Sequence, residues 1–184
     1  HFGEENSMYR PLFEKNLDII LPSNNIVSIL KKVISNNHIP LNTITTGRDA
    51  FGIVGKDFSK RSSELYFKGA ASVQCAYEEI RYYDKSLIQK NLKILNSYKI
   101  FTSKGNGGAG LLTDGKPVAI IGKAFVAGPN MACTDSLIPF GCFDDKVQAQ
   151  NLQKYFSTKF LRFLVGILKV SQNLYQNVYE FVPL

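Results

Sequence analysis

Apolar residues recur with helical spacing in four stretches of the chain and as short β-like runs between them. Ile26, Val27, Ile29, Leu30, Val33 and Ile34 follow Ser23, a good N-cap, and the run closes at Asn36 and Asn37. A helix is predicted there, with Lys31 and Lys32 in the half whose dipole favours cations. Asp84 is a second cap, ahead of the stripe Leu87, Ile88, Leu92 and Leu95, which predicts a helix ending near Ser97. Towards the C-terminus, Asp144 or Asp145 can cap a helix reaching about Tyr155, and another is predicted from about Thr158 to Val170. Phe160, Leu161, Phe163, Leu164, Ile167 and Leu168 surround most of that last helix, which marks it as a buried structural element.

The runs Leu65 to Phe67, Val73 to Cys75 and Ile80 to Tyr82 are bounded by Gly69 or by charge and predict strands. Ile100 to Thr102 predicts another, and Asp114-Gly115 marks a turn into a strand from Pro117 to Ile121. A strand pair is expected from Ala124 to Ala127 and Ser136 to Phe140. Leu41 to Lys60 is rich in Gly, Thr and charge, with Phe51 and Ile53 as its few apolar anchors, and is expected to be an irregular, exposed loop with short strands. The class that follows is α+β: a mixed, mainly antiparallel β-rich lobe with flanking helices and a helical C-terminal end. Residues 1–21 read as an N-terminal extension or tag remnant and lead-in. Residues 22–184 read as one domain, β-rich and loop-rich to about 143 and helical from 144 to 184. No repeat at solenoid spacing or low-complexity tract changes this picture, and the Gln and Asn enrichment from Gln148 to Asn177 reads as a solvated face.

Composition narrows the function classes. In 184 residues, 45% are hydrophobic and only 20% charged, enough apolar material to offset the entropy of ordering the chain. Lys and Arg total 22 against 15 Asp and Glu, a net charge of +7, and the sequence pI near 9.3 suits a polyanionic partner. Cys75, Cys133 and Cys142 are widely spaced, without a CxxC pair or nearby histidine, so a reduced, cytoplasmic protein without a metal site is expected. Cys133 and Cys142 read as small core hydrophobes. The longest apolar stretch, Phe160 to Val170, is broken by Arg162 and Lys169 and is too short for a bilayer, so no membrane partner is expected.

Candidate chemistry is sparse. Gly105-Asn-Gly107-Gly-Ala-Gly110 has the spacing of a dinucleotide-binding loop, but a Thr-Asp-Gly-Lys turn follows where a helix start would be needed. The alternatives are a plain surface loop or backbone contact with a phosphate beside Lys104. Asp114-Gly-Lys116 could be half of a Mg-dependent nuclease constellation, though Asp-Gly before a β-run is more simply a turn. No Gly-x-Ser-x-Gly elbow or Cys/His arrangement supplies a nucleophile. Tyr82 and Tyr83 read as core or rim residues ahead of base-stacking platforms. The cations Arg48, Lys56, Lys60, Arg61 and Lys68 cluster in the least regular part of the chain, where a solvated face and a phosphate-contacting face are both open readings.

Longer stretches are more specific. They are Ile121-Gly-Lys-Ala-Phe-Val-Ala-Gly-Pro-Asn-Met-Ala-Cys-Thr-Asp135, Gly141-Cys-Phe-Asp-Asp145, Tyr155-Phe-Ser-Thr-Lys-Phe-Leu-Arg-Phe-Leu-Val165 and Val178-Tyr-Glu-Phe-Val-Pro183. Together they resemble the C-terminal part of adenine-specific DNA methyltransferases of type II restriction-modification systems, including type IIG enzymes that fuse modification with an endonuclease. The likeness runs back through Lys99-Ile-Phe-Thr-Ser-Lys104 and Arg81-Tyr-Tyr-Asp84 to Thr46-Gly-Arg-Asp-Ala-Phe-Gly52, which is similar to the family's Ser-Arg-Lys-Pro-Phe-Gly segment except at Asp49 and Ala50. It covers most of the chain from about Pro22.

The resemblance implies a target-recognition domain that reads double-stranded DNA, paired with an upstream methyltransferase domain that binds S-adenosylmethionine. Neither the adenine-gripping Asn-Pro-Pro-Tyr or Asp-Pro-Pro-Tyr tetrapeptide nor the Phe-x-Gly-x-Gly cofactor loop of that upstream domain occurs in this sequence. No cofactor and no catalysis are therefore expected within this chain. The expected DNA contacts are Arg48, matched to the family segment, with Lys56, Lys60, Arg61, Lys104 and Asn106 chosen on charge and loop context. The main rival is a protein-interaction module whose helical end docks a methylase or nuclease subunit, and a Mg-dependent nuclease is third.

Overall fold

The computed structural model of the chain describes residues 9, 11–13, 19–21, 24–35, 37–75, 79–106, 112–113, 116–117, 119–169 and 171–184, without the side chains of 24, 56, 57, 112, 113, 116 and 117. In order these form α1 (Asn24–Ser35), α2 (Gly55–Arg61), β1 (Ser62–Ser63), β2 (Ala70–Gln74), β3 (Ile80–Asp84), α3 (Leu92–Leu95), β4 (Tyr98–Ser103), β5 (Leu112–Thr113), β6 (Lys116–Pro117), β7 (Phe125–Ala127), β8 (Met131–Cys133), β9 (Leu137–Phe143), α4 (Lys146–Phe156) and α5 (Lys159–Leu168). Single 3-10 turns lie at Leu41–Ile44, Lys85–Leu87 and Gln176–Tyr179. The class is α+β, as the sequence predicts.

Side-chain alternation makes one sheet the wall between two cores. β4 lies between β7 and β9, antiparallel to both, with Ile100 opposite Val126 and Phe140. Ile100, Ile138 and Phe140 face a core shared with α1, α4, α5 and the C-terminal turn. Their neighbours Phe101, Ala127 and Leu137 face the other side, against Phe51, Phe58, Val73 and Leu95. The β4–β9 register slips between Tyr98 and Ile100, and Gly141 absorbs the extra residue at φ +84°. That left-handed backbone favours glycine, and a Cβ there would also run into the Phe143 ring.

The second sheet has the order β1-β3-β2-β8, with β2 and β3 antiparallel and β8 parallel to β2. The turn from Thr134 to Ser136 connects β8 to β9 and so ties the sheets together. The sequence pattern missed β8, a three-residue strand too short for a period. It also expected 124–127 and 136–140 to pair, whereas both instead flank β4.

At the helical end, the Asp145 carboxylate accepts from the Val147 N–H at 2.9 Å, making the cap expected of Asp144 or Asp145, and the Thr158 hydroxyl accepts from the Leu161 N–H at 3.2 Å to cap α5. α4 buries Ala149, Leu152 and Phe156, and α5 buries Leu161, Leu164 and Val165. Phe160 and Phe163 stay 43% and 37% exposed, which corrects the expectation that apolar residues around most of α5 make it a buried element: only the side with Leu161, Leu164 and Val165 is covered, by the C-terminal turn and α4. Ahead of α1, Leu21 is buried in this same core; the Ser23 cap lies outside the described residues.

Further expectations are corrected. Residues 41–60 contain a 3-10 turn and most of α2 instead of strands, and Leu41, Ala50, Phe51, Ile53 and Phe58 are buried, because these apolar residues pin the segment to the cores. Leu65 to Phe67 form an exposed irregular segment leading into the Lys68–Gly69 turn, not a strand. The helix expected from Asp84 to Ser97 is broken: Asp84 caps only a 3-10 turn, and Asn91, left-handed at φ +52°, restarts the chain as α3. Cys142 is exposed and not a core residue. The Asp114-Gly115 turn lies outside the described residues, between the antiparallel β5 and β6; of the strand expected from Pro117 to Ile121, only Pro117, in β6, is β-structure among the described residues.

Candidate nucleic-acid interface

Arg48 is presented on a tight turn between Gly47 and Gly52. Thr45 bridges to Phe140 and its hydroxyl donates to the Pro139 carbonyl, anchoring the entry to the central sheet. Gly47 and Gly52 lie in the left-handed region at φ +71° and +72°, as does Asp49 at φ +55°, so the chain reverses over a few residues. Ala50 and Phe51 plug into the core beneath, and the Asn91 side-chain amide donates to the Ala50 carbonyl. Arg48 is left exposed, its guanidinium carbon 5.9 Å from the centre of the Tyr175 ring. It forms no ion pair with another described residue. Asp49 pairs with Lys90 at 3.1 Å.

Asp135 brings the expected cations together. Its N–H donates to the Ile53 carbonyl at 2.9 Å, its Oδ1 accepts from the Gly55 N–H at 3.0 Å, and its Oδ2 pairs with Lys104 Nζ at 3.0 Å. One residue in the turn between the sheets thus joins the Arg48 segment, the start of α2 and the end of β4. Partial burial pushes the Asp135 carboxyl pKa up, but the Gly55 N–H, Lys104 and Arg48 outweigh this and hold it below its ordinary value. Asp135 is therefore a carboxylate at neutral pH and takes up part of the Lys104 charge.

Lys60 and Arg61 close α2, exposed, at its C-terminal end, where cations suit the peptide dipoles. Lys56 lies in the first turn of the same helix, its side chain outside the described residues. Asn106 is engaged internally: its side-chain amide donates to the Ala119 carbonyl, its N–H to Gln172, and its carbonyl accepts from Lys169 Nζ. Lys104 continues into this group, since its carbonyl accepts from the Leu174 N–H at 2.7 Å. Lys104 and the first turn of α2 therefore meet at Asp135, near enough to Arg48 for its charge to act on the carboxylate, while Lys60 and Arg61 stand at the far end of α2 and Asn106 follows Lys104 past the end of β4. Gly107 to Gly110 lie outside the described residues.

Four residues that sequence reasoning did not select shape this region. Asp135 and Tyr175 reach Arg48 across more than eighty residues and more than a hundred and twenty residues of sequence, and Gln176 donates to the Asn42 and Thr45 carbonyls. Only Asp135 had a local signal, a Thr-Asp-Ser turn after an apolar run. The fourth is Lys99, fully buried in β4, whose ammonium donates to the carbonyls of Leu95, Ser97 and Gly128 at 3.1, 3.1 and 2.7 Å. Burial pulls its pKa down to about 7.

An open cleft of about 300 Å³ near Thr43, Thr45, Thr46, Ile94 and Cys142 is bordered by no acid, base or cation. Among the described residues no group of three His, Cys, Asp or Glu is placed to hold a metal ion, and no helix is long and apolar enough to cross a membrane. Burial pushes the Cys133 thiol far up, which makes it unreactive. Comparison with protein-family models, curated proteins and solved structures finds no match to this chain.

Proposed function

We propose that this chain is a sequence-specific double-stranded DNA recognition module, the target-recognition part of a restriction-modification adenine methyltransferase. Catalysis and S-adenosylmethionine binding belong to a separate, upstream methyltransferase domain. The observation that carries the reading is the state of Arg48: exposed, held against Tyr175 on a turn with two left-handed glycines, and free of an ion pair with any described residue. A guanidinium so positioned loses little freedom on forming paired hydrogen bonds to a guanine edge. The net charge of +7 and the exposed Lys60 and Arg61 support it by supplying the phosphate contacts that fix register on the duplex.

Selection from a pool of random duplexes tests this. The wild-type chain enriches a defined site, and Arg48→Ala loses about 1–3 kcal/mol on that site with much less loss on random duplex. Lys60→Ala weakens both about equally and lowers the salt slope by about one unit. Lys60 is a cleaner probe than Lys104, whose charge is shared with Asp135. Equal losses on both duplexes for Arg48→Ala demote it to a backbone contact.

A second reading has a specific observation behind it. Phe160 and Phe163 project from the uncovered side of α5, which suits a helical end that docks a methylase or nuclease subunit. On that reading the chain enriches no duplex sequence.

A further inference from the structure

The segment that replaces the expected strand at Leu65 carries three consecutive apolar side chains into solvent: Leu65, Tyr66 and Phe67 are 79%, 67% and 38% exposed. Runs of this kind on a folded surface are uncommon and mark contact sites. The segment is firmly built. The Ser63 hydroxyl accepts from the Leu65 N–H at 3.0 Å and donates to the Leu65 carbonyl at 2.8 Å. The Ala70 N–H closes onto the Phe67 carbonyl at 3.1 Å, and Gly69, left-handed at φ +90°, accepts from the Lys85 N–H at 3.1 Å. Tyr66 rests edge-on against Tyr82, ring centres 5.5 Å apart at 84°. The apolar tip is thus held out before any partner arrives, which lowers the ordering cost of binding.

Charge identifies the partner. Lys60 and Arg61 end the helix just before the segment and Lys68 follows Phe67; all three are exposed and none forms an ion pair with another described residue. The nearby carboxylates Glu64 and Glu79 both turn to Arg81, at 3.9 and 3.1 Å, so they do little to offset those cations. An apolar, aromatic tip inside a collar of exposed cations that no described carboxylate pairs matches a polyanion whose apolar interior is reached between its charges, as in a base step of a duplex.

We propose that Leu65 and Tyr66 form a wedge that stacks against the bases of bound duplex DNA, with Lys60, Arg61 and Lys68 on the flanking phosphates. This rests on the DNA-recognition reading above and adds to it a second contact, read through stacking and deformability instead of hydrogen bonds.

The chain contains no tryptophan, so Tyr66→Trp supplies a single fluorophore at the tip. Titrated with the selected duplex, its emission is expected to fall by more than half, while Ile39→Trp, at an exposed position beside the C-terminus, changes little. Tyr66→Ala is expected to weaken duplex binding by about five- to a hundredfold, because stacking is lost, with the salt slope unchanged, because no phosphate contact is removed. Its melting temperature stays at the wild-type value, since the ring is mostly exposed. Unchanged Tyr66→Trp emission and unchanged Tyr66→Ala affinity, in a chain that binds duplex, overturn the wedge and leave the recognition reading standing. A wild-type chain that does not bind duplex overturns both. A blue shift of Tyr66→Trp on phosphatidylserine–phosphatidylcholine vesicles, without a response to DNA, reassigns the tip to a membrane surface.

Discussion

Phe140→Ala is expected to cost about 3–5 kcal/mol of stability, the range for removing a fully buried aromatic side chain. Phe140 is completely inaccessible and meets Phe156 and Tyr179 edge-to-face, with ring centres 4.9 and 4.8 Å away. Those contacts join the central sheet to α4 and to the C-terminal turn, and the Thr45 bridge joins it to the Arg48 segment. Truncation opens a cavity where three elements meet, and none can collapse into it without losing its own contacts. Phe163→Ala, by contrast, removes a ring that is 37% exposed, and the expected cost is below about 2 kcal/mol. Urea or guanidinium unfolding monitored by far-UV circular dichroism checks the pair. Similar losses for the two, or the larger loss at Phe163, would contradict the packing described.

Lys99→Met carries the second large effect, about 2–4 kcal/mol at pH 7, from loss of the ammonium that satisfies three carbonyls in a buried corner. Methionine fills much of the same volume but donates nothing. The Leu95 carbonyl keeps the Asn130 N–H, so the deficit falls mainly on Ser97 and Gly128. The pH dependence supplies an independent check. With its pKa at about 7 in the folded chain against 10.5 for the ordinary side chain, Lys99 holds more proton in the unfolded state between those values. Wild-type stability therefore rises relative to Lys99→Met from pH 7 towards pH 10, at up to about 1.4 kcal/mol per pH unit, and that gain is lost as pH falls through 7. A stability gap that stays flat from pH 7 to 9 would show that Lys99 remains fully charged in place.

What was legible in the sequence follows from how much each signal is repeated along the chain. α1, α4 and α5 show several turns of helical period and, at α4, an expected Asp cap that the structure satisfies. α2 has seven residues, starts at glycine and lacks a side-chain cap, so the glycine and charge around it read as loop. At 65–67 an apolar run looks like a strand because periodicity says nothing about whether a partner strand is near, and here the pairing falls to Ser62 and Ser63 instead. Asn91 breaks a stripe whose apolar spacing is otherwise helical, since its left-handed backbone is a conformational choice that the period does not record.

The candidate site was legible only in its parts. Arg48, Lys60 and Arg61 could be picked out as cations in a glycine-rich segment. That Lys104 would meet the Arg48 segment depended on Asp135, which touches Gly55 eighty positions away and pairs with Lys104 from the turn between two sheets. The Tyr175 ring beneath Arg48 comes from the other end of the domain, and no local pattern announces it. Lys99 stands just ahead of the strand expected from Ile100, and its burial follows from the Leu95, Ser97 and Gly128 carbonyls converging on its ammonium.

The most direct test of DNA recognition is the affinity of the wild-type chain for labelled duplex, measured by fluorescence anisotropy across a salt series. With three phosphate contacts, from cations such as Lys60, Arg61 and Lys68, log affinity falls against log salt with a slope of about −2.7, roughly a fortyfold loss between about 50 and 200 mM. Binding that shows this slope on random duplex, and that tightens further on the selected site, is the predicted result. No binding at the lowest salt, or binding indifferent to salt, would contradict it.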